Sequence, residues 1–124
     1  MDPIKHFSSF HDWYLLGVVA DADRGFVELR LMFDNKTDRI RVLFKGASRC
    51  LINDFLIQNI ISSTVVLTDF ESDEYKRALD ALDKSYPWGK NKPRKKIVSI
   101  TATLGAELLI EFDLLTIEAD RFYR

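Results

Sequence analysis

Alternation of apolar and polar residues runs through most of this chain, and it constrains the fold more than any other feature. In Phe26 to Asp34, the residues Val27, Leu29, Leu31 and Phe33 point one way, while Glu28, Arg30, Met32 and Asp34 point the other. Side chains on an extended backbone alternate between faces, so this pattern predicts a strand with one buried face. Asp38 to Gly46 repeats it, with Ile40, Val42 and Phe44 inward. The polar stretch Asp34-Asn35-Lys36-Thr37-Asp38 between them suits a hairpin loop. Upstream, Trp13 to Ala20 is apolar on both faces and predicts a more central strand. It ends at Asp21-Ala22-Asp23-Arg24-Gly25, where Gly25 can take a positive φ. Three strands and two short loops make an antiparallel meander.

Downstream the signal changes twice. Leu51 to Thr68 is apolar with polar breaks at Asn53-Asp54, Gln58-Asn59 and Ser62-Ser63-Thr64. The β-branched Ile60-Ile61 and Val65-Val66 favour strand, and a helical turn near Asp54 to Gln58 also fits. Across 71–86 the period becomes helical: Tyr75, Ala78, Leu79, Leu82 and Tyr86 form a stripe against charged residues. Asp73 with Arg77 and Asp80 with Lys84 are acid-then-base pairs at i,i+4. Asp69 or Ser72 can cap this helix, and Pro87 stops it. Period two then returns. Val98, Ile100, Ala102 and Leu104 form one row. After a turn at Gly105-Ala106, Leu108, Ile110, Phe112 and Leu114 form another, continuing toward Ile117. The expected fold is α+β: a curved antiparallel sheet or partial barrel of about six to seven strands, with one helix, 71–86, packed on it. Alternating βα units are absent, which disfavours a doubly wound fold.

The chain has 124 residues and 47% hydrophobic composition, enough for one domain, 1–124, with its own core. Its net charge of −1 excludes a globally basic nucleic-acid binder. The single cysteine, Cys50, excludes a disulfide framework or a paired-cysteine metal site and reads as a small buried hydrophobe. Met1-Asp2-Pro3-Ile4-Lys5-His6 leads into no long apolar stretch, and no apolar run approaches a membrane span, so a cytoplasmic location is expected.

Three groups of residues could carry chemistry. His11-Asp12 matches the dyad of metal-dependent phosphohydrolases, but such sites need further ligands, and His6 is the only other histidine. Hydrogen bonding at the entry to the first strand is the simpler role for His11. Glu107, Glu111 and Asp113 occupy alternate positions and share a face. Paired carboxylates can hold a metal or act as acid and base, but such a row more often serves as a solvated face, or as a surface for a basic partner. Trp88, Lys90, Lys92, Arg94, Lys95 and Lys96 combine an aromatic anchor with a basic loop. That combination suits a docking loop with Trp88 as anchor, and it suits nucleic acid less well because the chain is neutral overall. No catalytic triad order, glycine-rich phosphate loop or zinc spacing is present, so no cofactor is expected and a binding role is favoured over catalysis.

Phe10-His11-Asp12, the strand ending Leu43-Phe44-Lys45-Gly46, and Asp54-Phe55 followed by Asn59-Ile60-Ile61 form a recognisable set. Together they resemble small bacterial proteins grouped with immunity proteins of polymorphic toxin systems, of the type called immunity protein 50. The resemblance covers about the first half of the chain and departs at Trp13, where a small polar residue is expected. It leaves the roles of His11, Asp12, Asp54 and Asn59 open. It implies a non-catalytic domain that neutralises a partner toxin by occluding it. A regulatory or structural module that self-associates is the alternative, with a His-Asp hydrolase third.

Overall fold

Each alternating segment becomes a strand of one antiparallel sheet. The computed structural model describes residues 7–86 and 92–120. A short 3-10 turn, Ser8–Phe10, leads into β1 (Tyr14–Asp21), β2 (Phe26–Met32), β3 (Arg39–Lys45), β4 (Arg49–Asn53) and β5 (Ile60–Leu67). The helix α1 (Asp73–Ser85) follows, then β6 (Lys96–Leu104), β7 (Glu107–Phe112) and β8 (Leu114–Ala119). The strand order is β4-β7-β6-β5-β1-β2-β3-β8, and the sheet is open, with β4 and β8 at its edges.

Eight strands replace the six to seven expected, for two physical reasons. Leu51 to Thr68 resolves into the two strands β4 and β5, with no helical turn between them. The last hairpin divides at Asp113, whose N–H is donated to Lys45 O at 2.9 Å. Before that point the chain pairs with β6 and β4; after it, with β3. The extra residue shifts the alternation by one, and a one-residue shift exchanges the faces of a strand. Leu114 therefore lies exposed, and Leu115 and Ile117 pack on the core in its place.

The open sheet bends at the junction of β1 and β5, where the ladder is a single pair, Tyr14 with Ile60. The inward rows of β2 and β3 then face those of β6 and β7. Val27, Leu29, Leu31, Val42 and Phe44 share one core with Ile61, Val98, Ile100, Leu108, Ile110 and Phe112. Phe44 and Phe112 meet edge to face with centroids 4.9 Å apart. Burying each such side chain contributes about 1.5–3 kcal/mol. Gly25 does take a positive φ, 67°, at the β1–β2 turn. β1 is central in the order, but beyond Tyr14 it pairs on one side only, and Leu16 and Val19 stay exposed. The expected central place of this strand in the sheet is observed.

The helix covers part of the outer face. Ser72 caps it, its Oγ accepting from Tyr75 N at 3.1 Å, and Asp80 pairs with Lys84 at 2.9 Å. Tyr75, Ala78 and Leu82 are buried against Leu67 and Ile97. At this seam lies an ion pair. Arg49, on β4, donates from Nε and Nη2 to the two carboxylate oxygens of Glu111, on β7, at 3.1 and 2.8 Å. Its Nη1 reaches Asp83, on α1, at 2.7 Å, and Ser48 Oγ donates to Glu111 at 2.5 Å. Both Arg49 and Glu111 are buried. Burial alone would push the Glu111 carboxyl up. The bonds from Arg49 and Ser48 and the charges of Arg49 and Lys95 outweigh it and hold the carboxyl below the usual range.

A carboxyl held low in the folded state stabilises the fold fully above its unfolded value and loses that contribution as the pH falls through the folded one. We expect the stability of the wild-type chain to drop as the pH is lowered below about 4.3, the ordinary glutamate value. A Glu111→Gln variant should show a shallower dependence over the same window, measured as urea midpoints against pH.

Candidate protein-docking loop

Between β4 and β5 the chain makes a short excursion, Asp54 to Asn59, which presents three consecutive large apolar residues. Ile57 is fully exposed at 107%, and Phe55 and Leu56 are about half exposed at 48% and 47%. No sheet or helix periodicity places three such residues in a row against solvent. The backbone is held there from below. Asp54 adopts a left-handed conformation, φ 60°, which turns the chain out of β4. Asparagine and aspartate tolerate that region better than other side chains.

Asn59 closes the excursion. Its side chain is 3% exposed and uses its full hydrogen-bonding capacity. Oδ1 accepts from Leu56 N and Ala106 N, both at 2.9 Å. Nδ2 donates to Leu56 O at 2.9 Å and to Leu15 O at 3.4 Å. The Asn59 carbonyl accepts from Leu15 N at 2.9 Å. One side chain thus ties the loop to β1 and to the β6–β7 turn. That turn requires glycine at 105, where φ is 85° and a Cβ would run into the Asn59 carboxamide. Leu16, next to Leu15, and Leu104, paired with Ile60, are also exposed, so the segments meeting at Asn59 carry five exposed apolar side chains.

The His11-Asp12 turn joins the same framework. Asp12 N donates to Ile61 O at 2.8 Å, Ile61 N to Trp13 O at 2.9 Å, and His11 Nδ1 to Ser62 O at 2.8 Å. Ser9, Phe10 and Asp12 all have positive φ. His11 Nε2 lies 3.4 Å from Asp12, and both side chains are exposed. The structure therefore brings His11, Asp12 and Asn59 onto one pair of adjoining segments, with Asp54 at the far end of the loop. Their visible work is to set backbone. Among the described residues, no group of three or more His, Cys, Asp or Glu is placed to hold a metal ion.

The other sequence candidates separate. Trp88, Lys90 and the helix-stopping Pro87 lie outside the described residues. Lys92 is exposed. Arg94 donates to Phe70 O at 3.3 Å and Glu71 at 3.2 Å. Lys95 donates to Gly46 O at 2.7 Å and faces Asp113 at 3.3 Å, while Lys96 Nζ stands 5.3 Å from the Phe112 ring centroid. The acidic row is not one solvated face: Glu107 is exposed, Glu111 is buried on Arg49, and Asp113 sits beyond the end of β7. Cys50 is half-buried, and burial pushes its thiol up to about 11, far from a nucleophile's range.

No family model matches the chain, and the comparisons with curated proteins and with solved structures find no match. No helix among the described residues is long and apolar enough to cross a membrane.

The apolar triad was hidden in the sequence because Phe55-Leu56-Ile57 reads as part of a longer apolar stretch. Its signal was the flanking pair Asp54 and Gln58-Asn59, which fits turn chemistry better than either period.

Proposed function

We propose that this chain is a non-catalytic protein-binding domain of the immunity type, acting in the cytoplasm, and that it occludes a partner protein through the Phe55–Ile57 loop. The observation that carries this reading is the loop itself. Three adjacent large apolar side chains exposed on a backbone pinned by a saturated asparagine lose little conformational freedom on docking. Exposed apolar clusters on a rigid support mark interaction sites. The reading moves the contact away from the basic loop, because Arg94, Lys95 and Lys96 already face groups of their own chain.

The test is capture of partners by the immobilised full chain, wild type against Ile57→Asp, from cells that produce it. A surface change of this kind alters stability by only about 0.5 kcal/mol, so loss of binding is separable from loss of fold. We expect a stoichiometric protein partner that the Ile57→Asp variant loses. Equal capture by both forms would refute the loop as the contact. Sedimentation of the two forms addresses self-association: a wild-type dimer that Ile57→Asp converts to monomer would assign the loop to a second copy instead.

A further inference from the structure

The charges around the loop say what sort of surface it fits. The segments that meet at Asn59 are 14–17, 53–59 and 101–107. They contain two acidic residues, Asp54 and Glu107, and no lysine or arginine. Both carboxylates are exposed. Asp54 directly precedes the apolar triad. Glu107 pairs in register with Asn53, and its Oε2 accepts from Ala102 N at 3.3 Å, which holds it at the base of the loop. The chain as a whole is nearly neutral, so this local imbalance is not a reflection of overall acidity. Arg30, in register with Gly17, is engaged by Glu28 at 3.0 Å. Arg94 and Lys95, at the other end of β6, are engaged with Glu71 and Asp113.

We propose that the loop docks on a basic protein surface, with Phe55, Leu56 and Ile57 entering an apolar depression flanked by lysine or arginine. This rests on the docking reading above. An apolar centre supplies the affinity in such a contact, while rim charges of opposite sign steer the encounter and select the partner. A partner with an acidic rim would set like charges against Asp54 and Glu107 and be disfavoured.

A random-peptide library displayed on phage supplies a defined probe. It is selected on the wild-type chain and screened against two variants, Ile57→Asp and the charge variant Asp54→Asn with Glu107→Lys, in which asparagine keeps the left-handed backbone at 54. We expect the clones lost on Ile57→Asp to combine aromatic or aliphatic residues with lysine or arginine. Synthesised as free peptides, they should bind the charge variant about tenfold more weakly and weaken at high ionic strength. Ile57-dependent clones that are neutral or acidic, or that bind the charge variant undiminished, would overturn the charge assignment and leave the docking loop standing. Absence of any Ile57-dependent clone would overturn both.

Discussion

An Arg49→Ala variant is expected to lose about 3–5 kcal/mol of stability, a large part of the total for a domain of this size. The reason is asymmetric. In the native chain the guanidinium meets both oxygens of Glu111 and one of Asp83. Removing it leaves the Glu111 carboxylate buried with Ser48 as its remaining side-chain hydrogen-bond donor. The helix also loses its one charged tie to β4, though Tyr86 still brackets the Cys50 backbone from the helix end. Chemical denaturation at neutral pH measures the loss. The paired replacement, Arg49→Met with Glu111→Leu, is expected to recover most of it, because a buried ion pair exchanged for apolar groups of similar volume is often neutral. A single variant within about 1 kcal/mol of wild type would show that the pair is not the anchor of the helix seam.

The second large effect is expected from Asn59→Ala. Four hydrogen bonds leave with one buried carboxamide, and Leu56 N, Leu56 O and Ala106 N lose their side-chain partner. Each buried polar group left unpaired costs about 1–3 kcal/mol, less where water can enter. The loop is at the surface and water will reach part of it, so a total near 2–4 kcal/mol is expected. The diagnostic feature is where the change appears. Hydrogen exchange should accelerate at Leu56 and Ala106, while the amides of β2, β3 and β7 keep their protection relative to global stability. Partner binding should weaken even under conditions where the variant is fully folded, since the apolar triad is then no longer pre-organised. Uniform loss of protection across the sheet would mean that Asn59 supports the fold at large rather than the loop.

The resemblance that singled out His11, Asp12, Asp54 and Asn59 gave them no role. Their positions in the fold explain why such residues would occur together without sharing any chemistry. Asp54 begins the loop, Asn59 ends it, and the His11-Asp12 turn lies against the start of the next strand. The His11-Asp12 turn is far in the chain from Asn59 and is joined to the strand that follows it by hydrogen bonds to Ile61 and Ser62, while Asp54 stands at the other end of the loop.

What could be read from the residues alone was whatever depends on neighbours in the chain. Strands at Val27–Leu31 and Ile40–Phe44, the helical stripe from Tyr75 to Tyr86, its Ser72 cap and the turn glycines Gly25 and Gly105 all follow from periods of two and 3.6 and from local backbone sterics. Three things depended on contacts between distant segments. The face of Leu114 was decided by the corner at Asp113, which Lys45 holds from another strand. The fate of Glu111 was decided by Arg49 and Asp83 arriving above it, which turned an acidic strand position into a buried anchor. The exposure of Phe55, Leu56 and Ile57 was decided by Asn59 joining the loop to β1 and to the β6–β7 turn. Periodicity records which side of an element is apolar. It carries no record of which apolar residues the assembled sheet has room to cover, and that is settled only when segments far apart in the chain meet.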